Sequence, residues 1–368
     1  MRSTIAEIDT SRLRHNFHHI RSLAGAAAIM PMVKANAYGH GMMECSAILS
    51  EEGADFLGVA FASEGVALRD YGITTPIVVM TPPEPSEASL FCRYDLQPVA
   101  CSIESMRVLS GEATRQQTIL RYHLYIDTGL SRDGVLPEEA VRFMHAVSSL
   151  PNCEAIGICT HFATSDEEDT SFAEEQLKSF NQVIGNLGNS GIHFAFIHAA
   201  NTAGIAHLPE AKFTLVRPGL SMYGCAPTDE LERKLSLEPI LTLKSSVLSL
   251  RRLPARTSVS YGRRYFTTQE TTIATIPIGY GDGYMRALTG KAECLIRGKR
   301  YPIVGTICMD ECMVDVGDDA LECGDEVILI GKQGQESITA GHVAQQCGTI
   351  PYEILTAISA RVPRVYVA

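Results

Sequence analysis

Ile29-Met30-Pro31-Met32-Val33 runs directly into Lys34-Ala35-Asn36-Ala37-Tyr38-Gly39-His40-Gly41. The first five residues are apolar without alternation. That pattern describes a strand buried on both faces, and hence a parallel sheet. The run gives way to a lysine, small residues and two glycines rather than to a polar loop. Seven further runs of this kind lie at 56–61, 76–81, 96–101, 122–127, 155–162, 195–199 and 214–216. Helical patterns separate most of them. Thr10 or Ser11 would cap a helix reaching Leu23, and Pro137-Glu138-Glu139 opens another with proline and acids in its first turn. The longest helical stretch is 172–187. Eight βα units in roughly 220 residues predict an N-terminal (β/α)8 barrel of the TIM type.

The pattern changes near residue 236. From Pro239 onward the apolar runs are β-branched and split by turn residues, as at 271–278, 292–296, 301–307 and 327–330. Arg297-Gly298-Lys299 and Gly331-Lys332-Gln333-Gly334 read as turns. The chain is therefore expected to be an α/β protein, with a barrel over 1–236 and a mostly β C-terminal domain over 237–368.

Composition narrows the function. The 368 residues are 45% hydrophobic and 20% charged, with a net charge of −11. That describes a globular protein whose partners are neither nucleic acid nor an anionic membrane. Residues 1–9 lack the apolar stretch of a secretory signal, and no run approaches a membrane span of roughly 18 apolar residues. The 11 cysteines are scattered, which suits reduced thiols in a cytoplasmic protein. Cys308 and Cys312 have no second Cys/His pair nearby, so small buried hydrophobes are expected there and no metal.

In a barrel the site lies at the C-terminal ends of the strands. The residues delivered there are Lys34, Asp127-Thr128-Gly129 with Arg132, His161, Asn201-Thr202, and Arg217-Pro218-Gly219. Taken singly, each has a plain structural reading. A lysine after a strand usually marks where the chain meets water. A lone histidine is usually a satisfied core residue, and a lone arginine usually caps a helix or faces solvent. Together on one rim they suit an anionic ligand beside a nucleophilic amine.

The same residues carry a resemblance. Val33-Lys34-Ala35-Asn36-Ala37-Tyr38-Gly39-His40-Gly41 resembles the pyridoxal-phosphate (PLP) motif of the alanine racemase family. The likeness continues through Thr160-His161-Phe162-Ala163, His198-Ala199-Ala200-Asn201, Val216-Arg217-Pro218-Gly219 and Met222-Tyr223-Gly224. In the second half it covers Val259-Ser260-Tyr261-Gly262, Ile276-Pro277-Ile278-Gly279-Tyr280, Ile307-Cys308-Met309-Asp310 and Tyr352-Glu353. It spans essentially the whole chain, with motifs in order.

The resemblance implies that Lys34 holds PLP through its amine. Tyr38, Thr202, Gly219 and Tyr352 would bind the phosphate, with Asn201 and Leu220 beside them, and Arg217 would face the ring nitrogen. Lys34 and Tyr261 would be the two opposed acid/base groups, Tyr261 linked through His161 towards Arg217. Arg132 and the backbone of Met309 would hold the substrate carboxylate, with Tyr280, Asp310 and Tyr352 around it. Tyr261 and Met309 would come from the partner of a homodimer with shared sites. The implied reaction is interconversion of L- and D-alanine, supplying D-alanine for peptidoglycan. Tyr352 and Tyr280 crowding the pocket favour alanine over serine. A serine or broad-specificity racemase is the runner-up. A decarboxylase of this architecture is disfavoured by Ser260-Tyr261-Gly262, and a non-catalytic PLP-binding protein by the second domain.

Four positions depart from the family pattern. A carbamylated lysine commonly stands two residues before the Asp-Thr-Gly motif. Tyr125 stands there in this chain, so Arg132 is expected to be held without a carbamate. Thr306 replaces an arginine near the entrance, Thr202 replaces a serine, and Gly281 replaces an alanine.

Overall fold

The computed structural model describes residues 3–368. The first nine strands are β1 (Ile5–Asp9), β2 (Ala28–Ile29), β3 (Leu57–Val59), β4 (Ile77–Val79), β5 (Leu96–Ala100), β6 (Leu120–Tyr125), β7 (Cys153–Cys159), β8 (Phe196–His198) and β9 (Leu215–Val216). Strands β3 to β8 form one parallel sheet in chain order. β2 and β9 pair in parallel, Ala28 opposite Leu215 and Ile29 opposite Val216. Two links close the circle. Met32 bridges Gly58, and the Arg217 amide donates to the Ala200 carbonyl at 2.8 Å. All eight apolar runs are thus barrel strands, each shorter than its run except β6, which has the same length and starts two residues earlier.

Helices cover the outside. The longest, Ser171–Asn189, buries Ala173, Leu177, Phe180, Val183 and Leu187 at three- and four-residue spacing, the stripe a helix presents to a barrel wall. The helix Thr10–Ala24 begins one residue earlier than a Thr10 cap would allow and two earlier than a Ser11 cap. Its cap is Asp9, whose carboxylate accepts from the Arg12 amide at 3.0 Å. An ionised cap beside four unsatisfied N–H groups binds them more strongly than a hydroxyl.

β1 lies outside the barrel. It pairs antiparallel with β10 (Leu241–Ser246) and in parallel with the last strand, Ala6 opposite Arg364. The remaining strands are β11 (Ser249–Leu253), β12 (Ser258–Val259), β13 (Tyr265–Phe266), β14 (Thr271–Ile276), β15 (Glu293–Ile296), β16 (Lys299–Val304), β17 (Cys312–Gly317), β18 (Glu326–Gln333), β19 (Glu336–Ile338) and β20 (Arg364–Val367). Ten of these strands, β1 included, form a sheet ordered β11-β14-β17-β16-β15-β18-β10-β1-β20, with β19 beside β18. Arg297-Gly298 makes the two-residue hairpin between β15 and β16, both at positive φ, as a type I′ turn needs. The turn expected at 331–334 begins later. β18 continues through Gln333, which pairs with Glu336.

The eleven cysteines are free thiols. Among the described residues no helix is long and apolar enough to cross a membrane.

Candidate active site at the barrel mouth

Lys34 comes after β2 and opens a turn of unusual hand. Ala35, Asn36, Ala37 and Tyr38 have φ of 51°, 56°, 54° and 52°. Left-handed backbone costs a non-glycine residue roughly 1–2 kcal/mol, so neighbours must impose it. The Glu64 carboxylate accepts from the Ala35 amide at 2.7 Å and from the Ala60 amide at 2.8 Å. The Asn36 side chain accepts from the Met42 amide at 2.9 Å, and its carbonyl accepts from the Gly41 amide at 2.9 Å.

This turn brings Lys34 and Tyr38 to one cavity of about 400 Å3 with Arg132, His161, Asn201, Thr202, Arg217, Gly219 and Tyr352. Its volume is that of a small-molecule site. Burial, then the nearby Arg132, lowers the Lys34 pKa, with Glu64 opposing and Arg217 adding to the shift. A lysine so placed is available as a neutral amine more readily than one in water.

Arg217 is buried, and both terminal nitrogens of its guanidinium are hydrogen-bonded. It donates to the carbonyls of Thr160 (2.6 Å), His198 (2.8 Å) and Ala199 (3.1 Å). It also reaches His198 Nδ1 at 2.8 Å and His161 Nδ1 at 3.2 Å. A guanidinium can only donate, so both ring nitrogens must be acceptors. His198 then carries its proton on Nε2 and donates it to His123 Nδ1 at 2.8 Å. His123 in turn donates from Nε2 to the Gln97 side-chain oxygen at 3.1 Å. The charge of Arg217 thus orders every proton in this file of side chains across the barrel interior. Burial and Arg217 keep all three imidazoles neutral, with His123 and His161 pushed down to about 3. Gly157 makes room for the file, since a Cβ there would stand 2.0 Å from His123 Nδ1.

The other end of the cavity offers hydroxyls. The Thr202 hydroxyl accepts from the Gly219 amide at 3.2 Å and lies 3.0 Å from that of Ser221. The Tyr38 ring sits between those of Tyr223 and Tyr352, at 5.3 and 5.8 Å. Asn201 has two roles, lining the cavity and capping the helix Thr202–His207 through the Gly204 amide at 2.9 Å. Leu220 is fully buried and does not line the cavity. Tyr125 does line it. Burial raises its phenol to about 12 while the adjacent Arg132 pulls it down. Arg132 itself is exposed, 3.5 Å from Asp133.

The other sequence-derived candidates are elsewhere in this chain. Tyr261 is 74% exposed and Met309 53% exposed, and Tyr280 is exposed as well. None of these, nor Asp310, lines the cavity. They are nonetheless firmly mounted. The Thr306 hydroxyl donates to the Tyr261 carbonyl at 2.8 Å. Arg361 meets Asp310 at 2.7 Å and the buried Asp282 at 3.3 Å. Met80, Asp166 and Ile350 also line the cavity, and sequence reasoning misses all three. Asp166 and Ile350 carry no local signal, lying in loops whose path the sequence does not fix.

In chemical terms the cavity can hold an anion at its hydroxyl end and present a neutral amine near a fixed positive charge. Comparison with known proteins agrees with that arrangement. The model of the alanine racemase N-terminal domain matches residues 8–227, and that of the C-terminal domain matches 240–366. An alanine racemase of Carboxydothermus hydrogenoformans is 45% identical over 371 residues, covering 100% of both chains. One from Clostridium novyi is 40% identical, covering 100% of this chain and 96% of the relative. Among solved structures, alanine racemase of Clostridium difficile superposes with a TM-score of 0.95 at 35% identity, over 100% of this chain and 96% of that one. The Bacillus anthracis enzyme with bound L-Ala-P has the same TM-score at 36% identity and the same coverage.

Proposed function

The chain belongs to the alanine racemase family, and from that premise we propose a PLP-dependent enzyme that inverts alanine with two opposed acid/base groups. The observation that carries this reading is the cavity itself. Its donor set fits the cofactor, with the Lys34 amine for an aldehyde, Arg217 for the ring, and Tyr38, Thr202, Tyr352 and the Gly219 amide for a phosphate. PLP bound there would withdraw electrons from the substrate Cα and acidify its proton. The protein's part is to move that proton. Lys34, with its lowered pKa, takes or gives it on one face. Tyr261 of the partner subunit does the same on the other, in a homodimer whose sites are shared. Arg217, permanently charged, disfavours a protonated ring nitrogen, which limits side reactions. Arg132, beside the Tyr125 hydroxyl rather than a carbamate, holds the substrate carboxylate together with the Met309 backbone. The product would supply D-alanine for peptidoglycan in the cytoplasm.

Borohydride reduction of the PLP-loaded protein should fix the cofactor to a single peptide, the one containing Lys34. A label on any other lysine would end this reading.

Alanine is the expected substrate, because Tyr352 and Ile350 narrow the cavity. A snug pocket rejects an added hydroxyl poorly, so serine should be turned over with kcat/KM lower by about 100-fold or less. Measured across a panel of amino acids, a higher value for serine than for alanine would overturn the substrate assignment.

A further inference from the structure

We infer that Arg364 and Tyr366, on β20, are positioning residues for Lys34, a reading that rests on Lys34 being the cofactor-bearing lysine. The barrel packs the Tyr223 ring against that of His40 at 4.6 Å, but its hydrogen bonds hold only the start of the left-handed turn, where the Val33 amide donates to the Gly58 carbonyl at 2.8 Å and the Ala35 amide to Glu64. Its end is fixed from the β domain. Arg364 Nε donates to the Gly39 carbonyl at 3.0 Å. The rest of that guanidinium is anchored on the carbonyls of Ile358 (2.6 Å), Ser359 (2.6 Å) and Val362 (2.8 Å). The Tyr366 hydroxyl lies 3.2 Å from the His40 carbonyl and 3.0 Å from the Glu44 carboxylate.

The turn rests on these groups without slack. A Cβ on Gly39 would stand 2.1 Å from the Leu355 carbonyl oxygen, and one on Gly41 would stand 1.8 Å from the Tyr366 hydroxyl. Leu355 belongs to the helix Pro351–Ala357, which also carries Tyr352. Of residues 35–38 only Asn36 takes left-handed backbone readily, and Ala35, Ala37 and Tyr38 disfavour it. With the far end released they relax towards ordinary φ, and the bond that aims the Lys34 side chain turns with them. Holding a reactive group in its productive geometry is the usual task of such an outer layer.

The test uses Tyr366→Phe, which keeps the ring and removes only the hydroxyl, and Arg364→Lys. Thr10→Val is the control. It removes a 2.8 Å bond to the Val367 carbonyl on the same strand and does not touch the turn. PLP affinity is measured by visible-absorbance titration of cofactor-free protein, and Tm of that protein by circular dichroism. Tyr366→Phe should weaken PLP binding about fivefold, the worth of one hydrogen bond, and Arg364→Lys by more. Thr10→Val should stay within about twofold of wild type, at a Tm no higher than that of Tyr366→Phe. Wild-type affinity in Tyr366→Phe overturns the inference, as does an equal loss in Thr10→Val, which would mark a strand-wide effect. If Arg364→Lys does not fold, Tyr366→Phe decides alone. A wild-type protein labelled by borohydride at another lysine overturns the cofactor reading itself. That result is visible before any variant is made.

Discussion

Mixing two inactive variants, Lys34→Ala and Tyr261→Ala, is expected to restore about a quarter of wild-type activity, as two-fold symmetry requires. The reasoning starts from exposure. Lys34 lines the cavity of its own barrel, while Tyr261 is 74% exposed and lines no part of it. Yet its loop is held in place by Thr306, whose hydroxyl donates to the Tyr261 carbonyl. An aromatic residue both presented and fixed in this way suits a site on another copy. With random subunit exchange about half the dimers are mixed, and each mixed dimer has one intact site and one lacking both groups. The assay is racemisation before and after exchange. If activity stays at the level of the separate variants, each site is built within one chain and the shared-site proposal fails.

Acid should destabilise the fold steeply, beginning just below neutrality. His40, His123 and His198 are fully buried and neutral, while His161 is half-buried at the cavity wall. Burial drives His40 down to about 4, and burial with Arg217 drives His123 and His161 to about 3. Unfolded, each would titrate near pH 6.5, roughly the ordinary histidine value. As pH falls through 6.5 the unfolded chain takes up protons that the folded chain refuses, so stability falls from there towards pH 4. Above 6.5 both states are neutral and the effect vanishes. At about 1.4 kcal/mol per pH unit per proton, the three fully buried histidines lose on the order of 4 kcal/mol between pH 6 and 5. That is comparable to the whole stability of many domains. Urea midpoints at pH 7, 6 and 5 measure it directly. A midpoint unchanged over that range would mean that the imidazoles are reached by solvent.

Much of this was readable in advance because barrel strands advertise themselves. Runs such as 29–33 and 155–162 are apolar on both faces, and each leads to a residue of the cavity. The hidden parts were hidden for physical reasons. His123 and Gln97 sit inside runs read as buried strand, where they pass as interruptions. The available signal was that a buried polar group demands a partner, but their partners lie on other strands. The left-handed turn was invisible because Ala-Asn-Ala-Tyr favours no such backbone, and tertiary contacts override its preference. The place of β1 depended on β20, too distant in sequence for any pattern to join them. Tyr261 and Met309 were legible only through the family motif, since exposed residues carry no periodic signal.

β1 also governs the order in which the molecule can be assembled during translation. It leaves the ribosome ahead of the barrel, yet both of its hydrogen-bonding neighbours, β10 and β20, are made after the entire barrel. A nascent chain can therefore close its barrel while still trailing a bare strand with two open edges, the form most prone to pairing with a stranger. Only when Arg364–Val367 emerge does that strand find its second edge. The same event brings Arg364 and Tyr366 against the Lys34 turn, so the hazard ends and the amine is aimed in one step.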